Sequence, residues 1–145
     1  MANESAVRQR IVPMLDYEDG PAAMDWLIQA FGFTERMRLV NPEGSLGHGE
    51  LELGGNIIML GTATPLYQSP RRHRESCAAA AAWHEVPWVI DGVFVEVDDI
   101  RAHFEQARDA GATILTEVEE AGFGGWIYRA EDVEGHRWMF HQEQA

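Results

Sequence analysis

Two histidines with nearby carboxylates are the residues of this 145-residue chain that best suit proton transfer. His48 and Glu50 lie two positions apart in a predicted strand, so their side chains point to the same side of it. An imidazole beside a carboxylate can act as a general acid–base pair near neutral pH, and His141 is a second candidate. Alternatively, His48 and Glu50 only pair with each other on a strand surface. No Ser-His-Asp or Cys-His pattern marks a nucleophile, and Cys77, which precedes a run of alanines, is interpreted as inert, so no catalytic residue is assigned.

Apolar and polar side chains are mixed on the predicted strands around these histidines. Ligand pockets are mostly apolar with a few placed polar groups, and methionine walls repack around varied ligands. Aromatic rings with carboxylates nearby suit a planar or cationic molecule. The predicted ligand-binding residues are Met14, His48, Glu50, Met59, Phe94, Glu96, Trp126, Met139 and His141, with Asp16 and Arg137 on the same face. Two alternatives stay open: the methionines fill a closed core, or Trp126 anchors a dimer interface.

The elements that must position these residues occur twice in the sequence. Asp19, Ala23 and Gly32 recur 79 residues later as Asp98, Ala102 and Gly111, and Gly55 and Met59 recur 80 residues later as Gly135 and Met139. Helix and strand spacings that agree to within one residue indicate one unit copied in tandem. A duplicated unit builds a pseudo-symmetric cleft, in which residues at equivalent positions of the two copies face each other.

The first copy is predicted to be a β-α-β-β-β unit. Asp19 is placed to cap the helix and Gly32 to end it. Ala23, Trp26 and Leu27 give that helix one apolar face. The predicted strands are residues 10–15, 35–40, 48–53 and 56–60.

The second copy repeats this order. Residues 92–97 alternate strictly, so three valines face the helix while Phe94 and Glu96 face the other side. Asp98 or Asp99 caps the helix that follows, and Gly111 ends it. Further strands are predicted at residues 113–118, 126–131 and 136–141, with His136 as a structural hydrogen-bonding residue.

Residues 63–90 are predicted to be a linker between the copies. The alanine tract at 78–82 favours a short helix, and Trp83 and Trp88 are expected to anchor the segment on the body. The basic run at 71–74 is expected in a loop, solvated or in contact with a dimer partner.

Charge and composition exclude several partners. The formal net charge of −13 repels phosphate backbones, so nucleic acid is not expected, whereas cationic small molecules are attracted. Alternatively, the acidity serves only solubility. A single cysteine fits a reducing compartment, and neither a signal peptide nor a membrane-spanning run is found, so we expect a cytoplasmic protein with no membrane partner.

Three segments resemble the vicinal oxygen chelate superfamily, which includes glyoxalase I, extradiol dioxygenases and bleomycin-resistance proteins. Residues 131–138 resemble its terminal Asp-Pro-Glu-Gly-His/Asn turn and strand, with Val133 in place of the usual proline. Residues 47–55 resemble the His-x-Glu-Leu element of the subgroup called PhnB-like or bleomycin-resistance-like. Residues 31–33 resemble the Gly-Phe helix end of the superfamily as a whole.

This resemblance implies an α+β fold of the glyoxalase type. Two tandem β-α-β-β-β modules form curled mixed sheets with helices outside, at residues 8–62 and 91–142, joined by the 63–90 linker into one structural domain. It also implies homodimers whose clefts lie at or near the subunit interface.

The resemblance also predicts where a metal would bind. Metalloenzymes of the superfamily place up to four ligands on the first and fourth strands of each module, which map here to Val12, Met59, Gly92 and Met139. None of these offers a suitable nitrogen or oxygen donor. Slips in register would bring in only Asp91 and His141, fewer than the three ligands of an open catalytic site. The sequence therefore predicts no metal and no cofactor.

The leading hypothesis is a metal-free, homodimeric protein that sequesters a small amphipathic ligand, including cationic ones, as bleomycin-resistance proteins do. The alternative is a metal-dependent lyase, isomerase or dioxygenase with displaced ligands, for which His48, Glu50, Glu96 and His141 are the candidates. A third possibility is a regulatory module whose cleft is closed.

Overall fold

The chain folds into two four-stranded sheets, each with a helix packed against one side. This is a computed structural model that describes residues 9–88 and 91–144. The elements are β1 (Met14–Asp16), α1 (Gly20–Phe31), β2 (Thr34–Val40), β3 (Leu46–Leu53), β4 (Asn56–Gly61), α2 (Pro70–Ser76), α3 (Ala78–Trp83), β5 (Gly92–Glu96), α4 (Ile100–Asp109), β6 (Thr113–Glu120), β7 (Trp126–Glu131) and β8 (Arg137–Gln142). The strand orders are β1-β4-β3-β2 and β5-β8-β7-β6, which confirms the predicted α+β fold. Across the described residues, no helix is long and apolar enough to cross a membrane.

The strand registers confirm the 80-residue repeat. Met14 on β1 pairs in parallel with Met59 on β4, and Phe94 on β5 pairs in parallel with Met139 on β8. The remaining neighbours in each sheet are antiparallel. Each sheet therefore places its first and last strands side by side in the same register.

The helix caps show where the two copies differ in length. Asp19 accepts a hydrogen bond from the third residue after it at 3.1 Å, and Asp99 makes the same contact for α4. The second cap is therefore Asp99, 80 positions after Asp19, and not Asp98. Helix α1 has 12 residues and α4 has 10, so the length change falls within the helix. Both helices are followed by a glycine with positive φ, Gly32 at 80° and Gly111 at 98°.

One apolar core joins the two units. The ring of Phe31, at the end of α1, lies 5.4 Å from the ring of Trp138 and 4.7 Å from that of Phe140, both on β8. These three side chains are fully buried. Neither unit therefore buries its apolar surface alone.

The β7–β8 turn binds the second unit to the first through Asp132, which is 1% exposed. Its carboxylate accepts hydrogen bonds from the hydroxyl of Tyr17 at 2.6 Å and the indole of Trp138 at 3.0 Å. Next to it, the carboxylate of Glu134 accepts from the backbone N–H groups of Glu18 at 2.6 Å and Asp19 at 2.9 Å. The segment that resembles the superfamily's terminal turn thus serves here as an inter-unit clamp.

The basic run at 71–74 was predicted in a loop but is helical, so that part of the prediction was wrong, while Arg72 and His73 within it are solvent-exposed as expected. It lies in α2, where Arg71 donates to the carbonyl oxygen of Val133 at 2.7 Å. Arg74 makes a two-point contact with Glu131 at 2.6 and 2.9 Å. The carboxylate and the carbonyl that accept these hydrogen bonds are more than 50 residues away in sequence, so the run alone gave no sign of them.

The alanine tract forms α3, as predicted, but the tryptophans do not anchor the linker. Trp83 and Trp88 are 52% and 65% exposed. The anchor is Arg137, whose guanidinium donates to the carbonyl oxygens of His84 and Val86. Residues 70–88 therefore cover the start of β8 on the side of the sheet opposite α4.

Candidate ligand-binding cleft

Each sheet has one side packed on a helix and one side turned away from it, which we call its open face. Val93, Val95 and Val97 pack against the core, whereas Phe94 and Glu96 are exposed. This confirms the predicted alternation on β5. The open faces are where the predicted ligand-binding residues should lie.

The open face of the first sheet carries four of those residues together. Register places Met59 beside Met14 on one neighbouring strand and beside Glu50 on the other, and His48 precedes Glu50 by two positions. A cavity of about 240 Å³ is lined by Met14, His48 and Met59. Met14 is 81% exposed, so apolar surface is available there.

His48 and Glu50 pair with each other on this face, as the alternative interpretation proposed. The imidazole Nε2 of His48 lies 2.7 Å from the Glu50 carboxylate. Arg36 lies 3.3 Å from the same carboxylate. The hydrogen bond from His48, followed by the nearby charges of His48 and Arg36, holds the pKa of Glu50 below its usual range.

The open face of the second sheet brings together four more predicted residues. Phe94 pairs with Met139, and Glu96 pairs with His141. The Nδ1 atom of His141 lies 2.8 Å from the Glu96 carboxylate, and its Nε2 lies 2.7 Å from the carbonyl oxygen of Gly124. His141 is buried, and Met139 is half-buried beside it.

Sequence reasoning missed Phe123 and Arg129 on this face. Phe123, in the β6–β7 turn, stacks on the His141 ring at 5.1 Å. Arg129 pairs in register with Met139 and lies 5.9 Å from the ring of Trp88. The strict alternation of β7 could have placed Arg129, but nothing in a glycine-rich turn shows where its one phenylalanine lies.

The prediction that Trp126 lies in the cleft was wrong. Trp126 pairs with Gln142, whereas Ile127 pairs with His141 and so shares its face. Because neighbours in a strand point to opposite sides, Trp126 faces the helix, where the guanidinium of Arg101 lies 5.6 Å from its ring. It packs against the core and is not a ligand-binding candidate.

A second cavity, of about 420 Å³, lies at the seam between β1 and β5, under the linker. Pro13, Met14 and Val93 give it apolar walls. The exposed carboxylate residues Asp16 and Asp91 line it, and no hydrogen-bond donor within the described residues contacts either carboxylate. The seam therefore combines apolar surface with two exposed carboxylates, and the Arg137 guanidinium that also lines it is paired with Glu131.

Tyr67 and His136 close one end of this seam cavity. The Nε2 of His136 lies 2.7 Å from the carbonyl oxygen of Asp16 and 3.4 Å from the hydroxyl of Tyr67. Its ring also packs edge-on against Tyr17 at 4.7 Å, so the predicted structural role of His136 is confirmed. Burial, together with the surrounding carboxylates, raises the pKa of Tyr67 to about 12, so its hydroxyl stays protonated.

Comparison with known proteins agrees with this architecture. The sequence profile of the Glyoxalase/Bleomycin resistance protein/Dioxygenase superfamily matches residues 13–140. The chain belongs to this superfamily. The crystal structure of TioX from Micromonospora sp. ML1 is similar over 94% of this chain and 98% of that one, with 30% identity and a TM-score of 0.67.

Two other similar proteins were found, one by structure and one by sequence. FosX of Listeria monocytogenes, a genomically encoded fosfomycin resistance protein, covers 96% of each chain with a TM-score of 0.63, but at 11% identity it shares the fold alone. An uncharacterized protein of Mycobacterium bovis is 28% identical over 140 residues, which is 94% of this chain and 84% of that protein.

The superfamily's metal positions do not suit a metal in this member. Val12 precedes β1, and the parallel partners of Met59 and Met139 are Met14 and Phe94. Their antiparallel partners are Glu50 and Arg129, of which only Glu50 offers a carboxylate. Divalent cations bind imidazole nitrogens and carboxylate oxygens, and thioethers are poor ligands for them. His48 and Glu50 lie on one sheet and Glu96 and His141 on the other, each in its own pair. Among the residues described, no three His, Cys, Asp or Glu side chains are grouped to hold an ion.

Proposed function

We propose that this protein binds and sequesters small amphipathic molecules, including cationic ones, without a metal. The binding cleft comprises the open faces of the two sheets and the seam cavity between β1 and β5. The observation that supports the proposal is the side-chain chemistry of the open faces. By the mapping that the superfamily resemblance implies, Met59 and Met139 correspond to positions at which its metalloenzymes hold ions, and the strand registers put both side chains on the open faces. Flexible thioether side chains favour adaptable apolar contact over chelation.

The charges around the seam cavity favour a cationic ligand. Asp16 and Asp91 line a volume of about 420 Å³, which is within the range of pockets for drug-sized molecules. The net charge of −13 adds a general attraction for cations. Phe94, 45% exposed, provides a ring on which a planar molecule can stack.

The proposal includes a homodimer. Large apolar side chains are exposed on the open faces and edges of both sheets: Met14, Met37, Leu39, Phe94 and Phe123. Patches of this kind mark interaction sites in soluble proteins. A dimer would enclose the clefts between two copies of the chain, and light scattering after gel filtration should then give twice the chain mass of 16.3 kDa.

A thermal-shift and calorimetry screen tests ligand binding. The probes are a bleomycin-type drug and ethidium, a planar aromatic cation. At 100 times the dissociation constant, a ligand stabilises the fold by about 2.7 kcal/mol, which corresponds to roughly 5–10 °C for a chain of this size. If neither these probes nor other aromatic cations change the melting temperature at millimolar concentration, sequestration of this class is wrong.

A charge-removal variant tests the cationic preference. Asp16→Asn with Asp91→Asn should weaken ethidium binding roughly three- to tenfold. Glu105→Gln with Glu117→Gln is the matched control, because it removes two exposed carboxylates that do not line the cavity. Equal losses of ethidium affinity in both variants would mean that the effect depends on the net charge of the protein and not on the cavity carboxylates.

Elemental analysis tests the metal-free part of the proposal. Protein purified without a histidine tag should hold no stoichiometric divalent metal after dialysis. Stoichiometric zinc, nickel, manganese or iron that survives dialysis would overturn the proposal in favour of a metal-dependent enzyme.

A further inference from the structure

The β6–β7 turn folds back onto the open face of the second sheet. It carries Phe123, whose ring stacks on His141 at 5.1 Å with an interplanar angle of 29°. Phe94 packs on the same imidazole at 5.4 Å and 35°, and the rings of Phe94 and Phe123 lie 6.2 Å apart. His141 therefore packs against two neighbouring aromatic rings, one from a strand and one from the turn.

The hydrogen bonds of His141 require both ring nitrogens to donate. Nδ1 faces the carboxylate of Glu96 at 2.8 Å, and Nε2 faces the carbonyl oxygen of Gly124 at 2.7 Å. A carboxylate and a carbonyl are both acceptors, and a neutral imidazole has only one N–H. Both contacts exist together only when His141 is an imidazolium.

The surroundings of His141 favour this protonated form. The carboxylates near it are Glu96 on β5 and Glu143 just beyond β8, while its partner on β7 is Ile127. Residues 121–125 contribute no titratable side chain. The hydrogen bond to the Gly124 carbonyl and then the Glu96 carboxylate raise the pKa of His141, although its burial opposes them.

The turn is shaped to approach His141 closely. A Cβ at Gly125 would lie 2.8 Å from the imidazole Nε2 and would overlap the carbonyl oxygen of Gln142, and Gly125 has φ of +74°. Within the turn, the N–H of Ala121 donates to the carbonyl oxygen of Gly125 at 2.9 Å. This hydrogen bond closes the turn that carries Phe123, and Gly124 is the point at which the turn contacts the His141 imidazole.

We propose that Phe123 is a wall of the ligand-binding cleft and that protonated His141 is the positioning residue that holds it there. Raising the pH through the titration of His141 removes one N–H. A carboxylate is a stronger acceptor than a carbonyl, so the remaining proton stays on Nδ1, which faces Glu96, and the Nε2 lone pair then faces the Gly124 carbonyl. The turn is then released and Phe123 leaves the open face. The role of Phe123 as a cleft wall depends on the proposed binding function, whereas the protonation-dependent position of the turn does not.

NMR of the full-length protein with labelled histidine tests the positioning role without any ligand. His141 should titrate above the ordinary histidine value of about 6.5. As it loses its proton, amide exchange at Ala121 and Gly124, corrected for intrinsic rates, should accelerate roughly tenfold, as expected for loss of one charge-assisted hydrogen bond. The proposal would be overturned if His141 titrates at or below the ordinary value. It would also be overturned if the amide exchange rates of the turn do not change when His141 loses its proton.

Two variants separate positioning from general structure. Glu96→Gln keeps an acceptor for Nδ1 but removes the charge, so the His141 titration and the turn opening should both move to lower pH. Glu105→Gln, the same change on the exposed side of α4, should leave both in place. If the two variants behave alike, the Glu96–His141 contact does not set the position of the turn.

The cleft role of Phe123 is tested with ethidium, whose charge is constant between pH 5 and 9. Phe123→Ala should reduce the ring-current shift of the His141 ring protons to the part that Phe94 causes, weaken ethidium binding and abolish the pH dependence of that binding. Ethidium affinity that is the same in Phe123→Ala would overturn the wall assignment. If ethidium and the other aromatic cations fail to bind at any pH, the proposed function fails, while the NMR titration still decides the positioning role.

Discussion

The buried carboxylate of Glu131 is the site where replacing a carboxylate by an amide of the same shape should destabilise the fold most clearly. Glu131 is 1% exposed and receives two hydrogen bonds from Arg74, at 2.6 and 2.9 Å. Arg137, 5% exposed, approaches the same carboxylate at 3.2 Å. Replacing Glu131 by Gln keeps the shape of the side chain but leaves two guanidinium groups without a negative partner.

The expected cost follows from the burial of the partners. Removing one member of a buried ion pair typically costs 3–5 kcal/mol, because the remaining charge is left unpaired. The Gln carbonyl still accepts one hydrogen bond and Arg74 is 24% exposed, so we expect the lower end, about 3 kcal/mol. For a chain of 145 residues this corresponds to a fall in melting temperature of roughly 6–12 °C.

Urea unfolding of Glu131→Gln and Glu119→Gln measures this difference. Glu119 makes the same kind of contact, 3.2 Å from Arg129 on the same sheet, but is 56% exposed. An exposed pair contributes at most about 1 kcal/mol, so the control should lose little stability. If Glu131→Gln is no less stable than Glu119→Gln, the linker is not held by this ion pair.

The pH dependence gives an independent check. Burial alone would raise the pKa of Glu131, but Arg74 and then Arg137 outweigh it and hold the pKa below its usual range. A carboxylate whose pKa is lowered by folding stabilises the folded state above its unfolded value, about 4.3, and loses that contribution as the pH falls through the folded value. The stability gap between wild type and Glu131→Gln should therefore be constant near neutrality and shrink below about pH 4.

Three further substitutions test the turns and caps, each by urea or thermal unfolding. Tyr17→Phe removes a buried donor to Asp132 at 2.6 Å and should cost about 1–3 kcal/mol; a neutral result would mean that water replaces the hydroxyl. Gly125→Ala forces a Cβ into the His141 ring at a positive φ and should cost more than 1 kcal/mol, unless the turn moves away. Asp19→Ala removes the α1 cap and should cost about 1 kcal/mol, whereas equal stability would show that the cap is dispensable.

Much of the fold could be predicted because its signals are local. A capping aspartate, a glycine after the helix and strict alternation each follow from the geometry of one short segment. The predicted β7 coincides with Trp126–Glu131, while the first strand begins at Met14 and not at residue 10. The choice between Asp98 and Asp99 needed the structure, because the two copies of the helix differ in length.

The candidate site was predicted in part. Eight of the nine predicted side chains lie on the open faces, because the side a strand residue faces depends only on register and alternation. Trp126 was misplaced, although the run from 126 to 131 puts its arginine and glutamate on one side and its large aromatics on the other. Applying strict alternation to β7 would have corrected it.

The sequence by itself determined the duplicated unit, the cap of the first helix and the side of the sheet that most strand residues face. Only the tertiary structure decided which charges neutralise the arginines of α2, that the two His–Glu pairs lie on separate sheets, and that Phe123 covers His141. Local geometry depends on neighbours in the chain, and a repeat shows in the residues themselves. Contacts between residues far apart in the chain, such as the Arg74–Glu131 pair at a separation of 57 positions, depend on how two sheets and a linker pack, which no short pattern encodes.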